Sequence, residues 1–141
     1  MKTYKFKNSG KSLEELRKEF GTGSKGFYNQ DWYLKEPFYT EKPEVKEYEI
    51  ELYKDWNNLT YQEQKDKIDG EFLHPAVWVE FILEHYKKTG ERLMENWYSR
   101  TSGVDSDGDR VDVGYFGSDG LIVDSYWGDA RYSDLGVSSS R

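Results

Sequence analysis

The chain lacks cysteine altogether and carries only two histidines, two methionines and three prolines among its 141 residues. Without cysteine there can be no disulfide and no thiolate zinc site, and cysteine usage says nothing of redox compartment. Runs of Lys and Arg are missing too, and the formal net charge is -7. Binding to a phosphate backbone depends on clustered basic residues, so nucleic acid is not an expected partner. Long apolar stretches are also absent, which excludes a membrane-spanning helix. Met1 to Phe6 is polar and leads into a charged segment, so no signal-peptide core is visible. The chain reads as soluble, with no legible cellular address. One further lack is local: residues 96–141, 46 in all, contain no Lys, Glu, Gln, Met or Pro, although the preceding residues use Lys and Glu freely.

What is abundant is aromatic. Phe, Trp and Tyr make up 17% of the chain, with twelve Tyr and five Trp. Tyr and Trp pair an apolar body with a polar tip, so they suit both strands and half-exposed contact faces. The length fits one domain able to bury its own core. We read 1–141 as that domain, with a helical and loop scaffold over 1–95 and a β-rich segment over 96–141.

Local signals place the elements. Ser12 with Glu15 forms a capping box ahead of Leu13, Leu16 and Phe20, and Gly21 ends that helix. "GTGSKGFYNQDWYLKEPFY" reads as an ordered loop in which Phe27, Tyr28, Trp32, Tyr33 and Phe38 are partly buried. Its three glycines lack the Lys-Ser/Thr of a phosphate loop. Glu44 to Tyr53 alternates as a half-buried strand, and Thr60 with Glu63 caps a short helix to about Ile68. His74-Pro75 opens the strongest helix, with Val77, Trp78, Phe81, Ile82 and His85 on one face before Thr89 and Gly90. After Gly90 the period changes from helical to alternating. Trp97–Val104, Arg110–Phe116, Leu121–Trp127 and Tyr132–Ser138 read as four strands joined by "DSDGD", "GSDG" and "GDA" turns, a C-terminal β-meander. Helices followed by a twisted antiparallel sheet make the class α+β.

Chemical motifs are few. Asp105, Asp107 and Asp109 alternate as in a calcium loop, but Gly108 is fourth rather than sixth and Phe116 holds the twelfth position, where a bidentate Glu belongs. A solvated hairpin turn is the better reading, and no metal or other cofactor is expected. His74 and His85 lack further nitrogen or sulfur ligands, so capping and packing account for them better than zinc. No Gly-x-Ser-x-Gly elbow occurs, and with 27 Asp and Glu any single carboxylate pair is uninformative about glycoside hydrolysis. The chain is therefore not expected to be an enzyme; a small hydrolase using an Asp/Glu pair is the alternative.

The C-terminal segment has instead the composition of a recognition surface. Tyr98, Tyr115, Tyr126 and Tyr132 are interleaved with Ser, Gly and Asp, as in antibody loops. Alternation sets Val111 and Val113 against Asp112, and Leu121 and Val123 against Ile122, Asp124 and Tyr126, so one face reads as core and the other as display.

The segment "ENWYSRTSGVDSDGDRVDVGYFGSDGLIVDSYWGDARYSDLGVSSSR" resembles the C-terminal region of the variable proteins of diversity-generating retroelements, which have C-type-lectin-like folds. The resemblance covers about a third of the chain, with "HPAVWVEFILEHYKKTGERLMENW" as a family-like lead-in. The Gly-Gly-x-Trp signature of one large branch does not occur. The resemblance implies a framework of Trp97, Arg100, Val111, Val113, Gly114, Phe116, Gly120, Leu121, Val123, Leu135, Gly136, Val137 and Arg141. It also implies an origin for the altered alphabet. In that family the adenines of a template are randomised, typically in AAC codons, and the resulting codons never specify Lys, Glu, Gln, Met, Trp or a stop. Trp97 and Trp127 would then be unmutated. A compositional explanation stands beside this one, because turn-rich hairpins favour Gly, Ser and Asp while strands disfavour Lys and Glu.

The resemblance implies ligand binding by diversified positions, which we place at Tyr98, Ser99, Asp112, Tyr115, Ser118, Asp119, Ile122, Asp124, Ser125, Tyr126, Asp129, Tyr132, Ser133 and Asp134. The expected function is non-catalytic binding of a protein or other macromolecular ligand, with oligomeric state open. A mobile-element interaction protein of fixed specificity would share the fold without a template.

Overall fold

A computed structural model describes residues 3–140. Its strands are β1 (Thr3–Lys7), β2 (Glu47–Tyr53), β3 (Glu71–Phe72), β4 (Tyr98–Val104), β5 (Arg110–Gly117), β6 (Gly120–Tyr126) and β7 (Leu135–Ser140), with helices α1 (Leu13–Phe20), α2 (Pro37–Thr40), α3 (Tyr61–Lys67) and α4 (Pro75–Thr89). The class is α+β, and the seven strands form one mixed open sheet in the order β1-β2-β7-β4-β5-β6, with β3 also pairing β7. No helix among the described residues is long and apolar enough to cross a membrane.

The helices form where local chemistry dictates. Both capping boxes are made, Ser12 with Glu15 and Thr60 with Glu63; each is worth about 1 kcal/mol to its helix. His74 caps α4 by accepting from the Ala76 N–H through Nδ1 at 3.0 Å, Pro75 follows, and Gly90 ends the helix in the left-handed conformation. Burial holds the imidazole below its usual pKa, which keeps that nitrogen free to accept. His85 packs its ring edge against Tyr4 and bonds Glu91 at 2.6 Å. Trp78 and Ile82 of α4 are fully buried in one core with Val111, Val113, Leu121 and Val123 of the sheet. Each such side chain contributes about 1.5–3 kcal/mol by burial.

The sheet departs from the sequence reading in two ways. The antiparallel four-strand meander is only three strands long: β4, β5 and β6 follow one another, but β7 crosses back and runs parallel to β4 on its far side, pairing Tyr98, Ser99 and Arg100 with Leu135, Gly136 and Val137. The reason is that Trp127–Asp134 is a crossing segment, not the tight turn that "GDA" suggested, and the last strand starts at Leu135 rather than Tyr132. Second, the polar N-terminus supplies β1, which pairs antiparallel with β2, whose other edge takes β7. Tyr4 and Phe6 alternate there with three exposed residues. The aromatic loop after Gly21 is ordered, with Phe27, Tyr33 and Phe38 buried and Tyr28 exposed. It guards the β6 edge: Trp32 Nε1 donates to the Val123 carbonyl, and the Val123 N–H donates to Gln30 Oε1, both at 2.9 Å.

Candidate ligand-binding surface

Period-two alternation sorts the C-terminal strands between two faces. Val111, Val113, Leu121 and Val123 join the helix-covered core, which sends Asp112, Gly114, Ile122, Asp124 and Tyr126 to the opposite face. On β4 the same division places Tyr98 and Arg100 with them, since Arg100 is the cross-strand partner of Asp112 and Tyr98 of Gly114.

Tyr115 reaches that face by breaking the pattern. Straight alternation would turn it inward beside Val113 and turn Phe116 outward. Instead the register shifts between Gly114 and Gly117, and Tyr115 takes a φ of 49°, a region that costs a residue with a Cβ about 1 kcal/mol or more. This bulge puts Phe116 in the core, fully buried, and re-aims the Tyr115 ring outward. Gly114 makes the close approach possible: a Cβ there would lie 2.1 Å from the Trp97 carbonyl oxygen.

The result is a run of four tyrosine rings. Tyr98 meets Tyr115 at 4.6 Å between centroids and Tyr126 at 5.9 Å, and Tyr126 meets Tyr132 at 5.0 Å. The Tyr115 hydroxyl donates to Asp134 Oδ2 at 2.5 Å. That bond to a carboxylate pushes the Tyr115 pKa up to about 12, and burial followed by the neighbouring Asp124 takes Tyr126 to about 12 as well. Both hydroxyls therefore stay protonated donors at neutral pH.

Trp127–Asp134 lies across this face and is strapped down. Arg100 is fully buried beneath it. Its Nη1 donates to the Leu59 carbonyl at 2.9 Å and Gln64 Oε1 at 3.2 Å, and its Nη2 to the Ala130 carbonyl at 2.8 Å and, more weakly, that of Gly128 at 3.4 Å. Burial lowers its pKa to about 10, so the guanidinium remains charged. Backbone bonds add to the strap, from Tyr61 N–H to Gly128, Asn58 N–H to Tyr132 and Tyr98 N–H to Asp134, and the Asn57 side chain donates to the Ser133 carbonyl. Arg131 pairs with Glu63.

Beneath the rings sits Asp112, fully buried, with neither carboxylate oxygen hydrogen-bonded. Burial first, then Asp124 across the ladder, raise its pKa well above normal against the opposing pull of Arg100. Burial also raises Asp124, opposed by a bond from the Ser125 N–H.

The fourteen residues expected to vary thus divide into three groups. Ser118 and Asp119 are exposed in the β5–β6 turn, and Asp129, Tyr132 and Ser133 are exposed on the crossing segment. Tyr115, Ile122, Asp124, Ser125, Tyr126 and Asp134 are partly exposed. Tyr98, Ser99 and Asp112 are buried, which corrects their expected place on the surface. Ser99 points to the core side and donates to Ser138 Oγ at 2.9 Å; Tyr98 and Asp112 lie on the outer face but under other side chains. Trp127, read as framework, is the most exposed large apolar residue described, at 68%. The crossing segment that displays it could be foreseen only by knowing where β7 pairs.

The acidic "DSDGD" stretch closes on itself. Asp105 Oδ1 accepts the N–H groups of Asp107 and Asp109 at 3.0 and 2.9 Å, and Gly108 has a φ of 85°. Among the described residues no group of three His, Cys, Asp or Glu is arranged to hold a metal ion. Comparison with known proteins finds no matching family model, curated protein or solved structure.

Proposed function

We propose that this protein is a non-catalytic ligand-binding module, a variable protein of a diversity-generating retroelement with a C-type-lectin-like fold, whose ligand is a protein or other macromolecule. The observation that carries this reading is the contiguous row of Tyr98, Tyr115, Tyr126 and Tyr132 rings on the sheet face opposite α4, with Trp127 exposed beside it. Tyr and Trp supply contact area at low cost in side-chain entropy, and Ser, Gly and Asp around them supply adaptable hydrogen bonds. A bulge that places Tyr115 outside at a cost in backbone strain fits a residue kept for contact rather than packing.

The hydrolase alternative draws on one observation, that Asp112 and Asp124 face each other across β5 and β6. Asp112 is closed off beneath side chains, which leaves no route for a water and a scissile bond between the two carboxyls. Binding is the reading that uses the exposed residues.

The DNA flanking the coding segment tests the retroelement reading. A near-copy of the stretch encoding residues 96–141, differing at adenines and accompanied by a reverse transcriptase, is the expected result. Flanks without either would leave a binding protein of fixed specificity.

A further inference from the structure

The tyrosine row is also flanked by carboxyl groups, with Asp134 bonded to Tyr115 and Asp112 opposite Asp124. Asp112, Asp124 and Asp134 all lie within electrostatic reach of Tyr126, and Asp112 and Asp124 within reach of Tyr98. The cationic groups nearby have partners within the chain, and the buried Arg100 faces Asp112 across the ladder and offsets it. Arg100 spends its Nη donors on Leu59, Gln64, Gly128 and Ala130, Arg110 stacks on the Tyr61 ring at 3.7 Å, and Arg131 is paired with Glu63. Asp112 is the telling residue: its carboxyl is buried, points to this face, and has no hydrogen-bond partner. Burying an unsatisfied carboxyl is costly, and natural folds retain such groups chiefly where a ligand or function uses them.

Resting on the proposed role of this face in binding, we infer that it takes a cationic side chain, an arginine or lysine projecting from a protein or peptide partner, between the rings of Tyr115 and Tyr126 and against the carboxylates of Asp124 and Asp134. Ring faces attract a cation through their quadrupole, and the carboxylates supply charge and hydrogen-bond acceptors. Asp124 and Asp134 are partly exposed and make the contact, while the buried Asp112 carboxyl lies below them. An anionic partner is disfavoured by the same two carboxylates, and a purely apolar one would bury them without compensation.

The experiment selects binders from a random peptide library on the immobilised protein and discards any that also bind a Tyr126→Ser/Tyr132→Ser variant, which keeps every charge and so removes peptides held by the net charge alone. The expected binders share a basic anchor. Replacing that anchor by glutamine weakens them by about tenfold or more, Asp124→Asn does the same, and the two losses are not additive. Asp134→Asn serves as a second acidic variant should Asp124→Asn fail to fold by circular dichroism. Tyrosine-dependent binders that lack a basic residue, or that ignore both acidic substitutions, would overturn the cation inference while leaving the binding face intact. If no tyrosine-dependent binder emerges, the binding face itself is refuted along with it.

Discussion

Replacing Arg100 by leucine probes how the display segment is held. The guanidinium is fully buried and makes three hydrogen bonds of 2.8–3.2 Å and one of 3.4 Å. Charged hydrogen bonds contribute about 1.5–3 kcal/mol each, but they are not additive, and breaking a buried ionic network by removing one member costs about 3–5 kcal/mol. Leucine roughly fills the aliphatic part of the space and recovers some burial, but it leaves the Leu59 and Ala130 carbonyls and Gln64 Oε1 without their donor. The net expectation is a loss of about 3–5 kcal/mol, or a fall in Tm of roughly 12–20 °C for a chain of this size. Arg100→Lys should lie between, since an ammonium keeps the charge but cannot fork between Leu59 and Ala130. Thermal and urea unfolding followed by circular dichroism give the magnitude, and amide hydrogen exchange over 127–134 gives the location. A loss below about 1 kcal/mol with unchanged protection at Ala130 would refute the claim that Arg100 anchors the segment.

Other consequences follow from the same face. Asp112→Asn should stabilise the protein at pH 7 by about 1–3 kcal/mol. The folded carboxyl holds a proton that the unfolded chain releases, so wild-type stability falls as pH rises from the ordinary carboxylate range towards the raised folded pKa, and the variant lacks that fall. Equal pH profiles for the two would contradict this. The triple change of Tyr115, Tyr126 and Tyr132 to Ser should leave the fold intact, at a cost of about 0.5–1.5 kcal/mol for each of the three ring contacts removed, while abolishing ligand binding; collapse of the near-ultraviolet signal would mark these rings as core. Gly136→Ala should be severely destabilising, because a Cβ there would sit 2.7 Å from both the Trp97 ring and the Tyr53 carbonyl, and a Tm within a few degrees of wild type would show that the strand can shift.

How much of this was legible in the sequence depended on range. Helices α1, α3 and α4 were readable because their caps and periods lie within a few residues, and Ser12, Thr60 and His74 all cap as expected. The hairpin from β5 to β6 was equally local. The parallel return of β7 was not, because nothing in "WGDARYSD" reveals that its carbonyls are met by Asn57, Asn58, Tyr61 and Arg100, some 28–76 residues away. Alternation placed Asp112 on the correct face but could not report what lies over it. It would also have misplaced Tyr115, whose outward turn depends on a bulge made against Trp97 and Met94.

The central claim is that the face bearing Tyr115, Tyr126 and Tyr132 exists to vary and to bind. Deep sequencing of the stretch encoding residues 96–141 across a natural population tests it most directly. Substitutions are expected to concentrate at Tyr115, Asp124, Tyr126, Asp129, Tyr132, Ser133 and Asp134, with Ser99, Arg100, Val111, Val113, Leu135 and Val137 constant. Variation spread evenly over buried and exposed codons, or none at all, would contradict it.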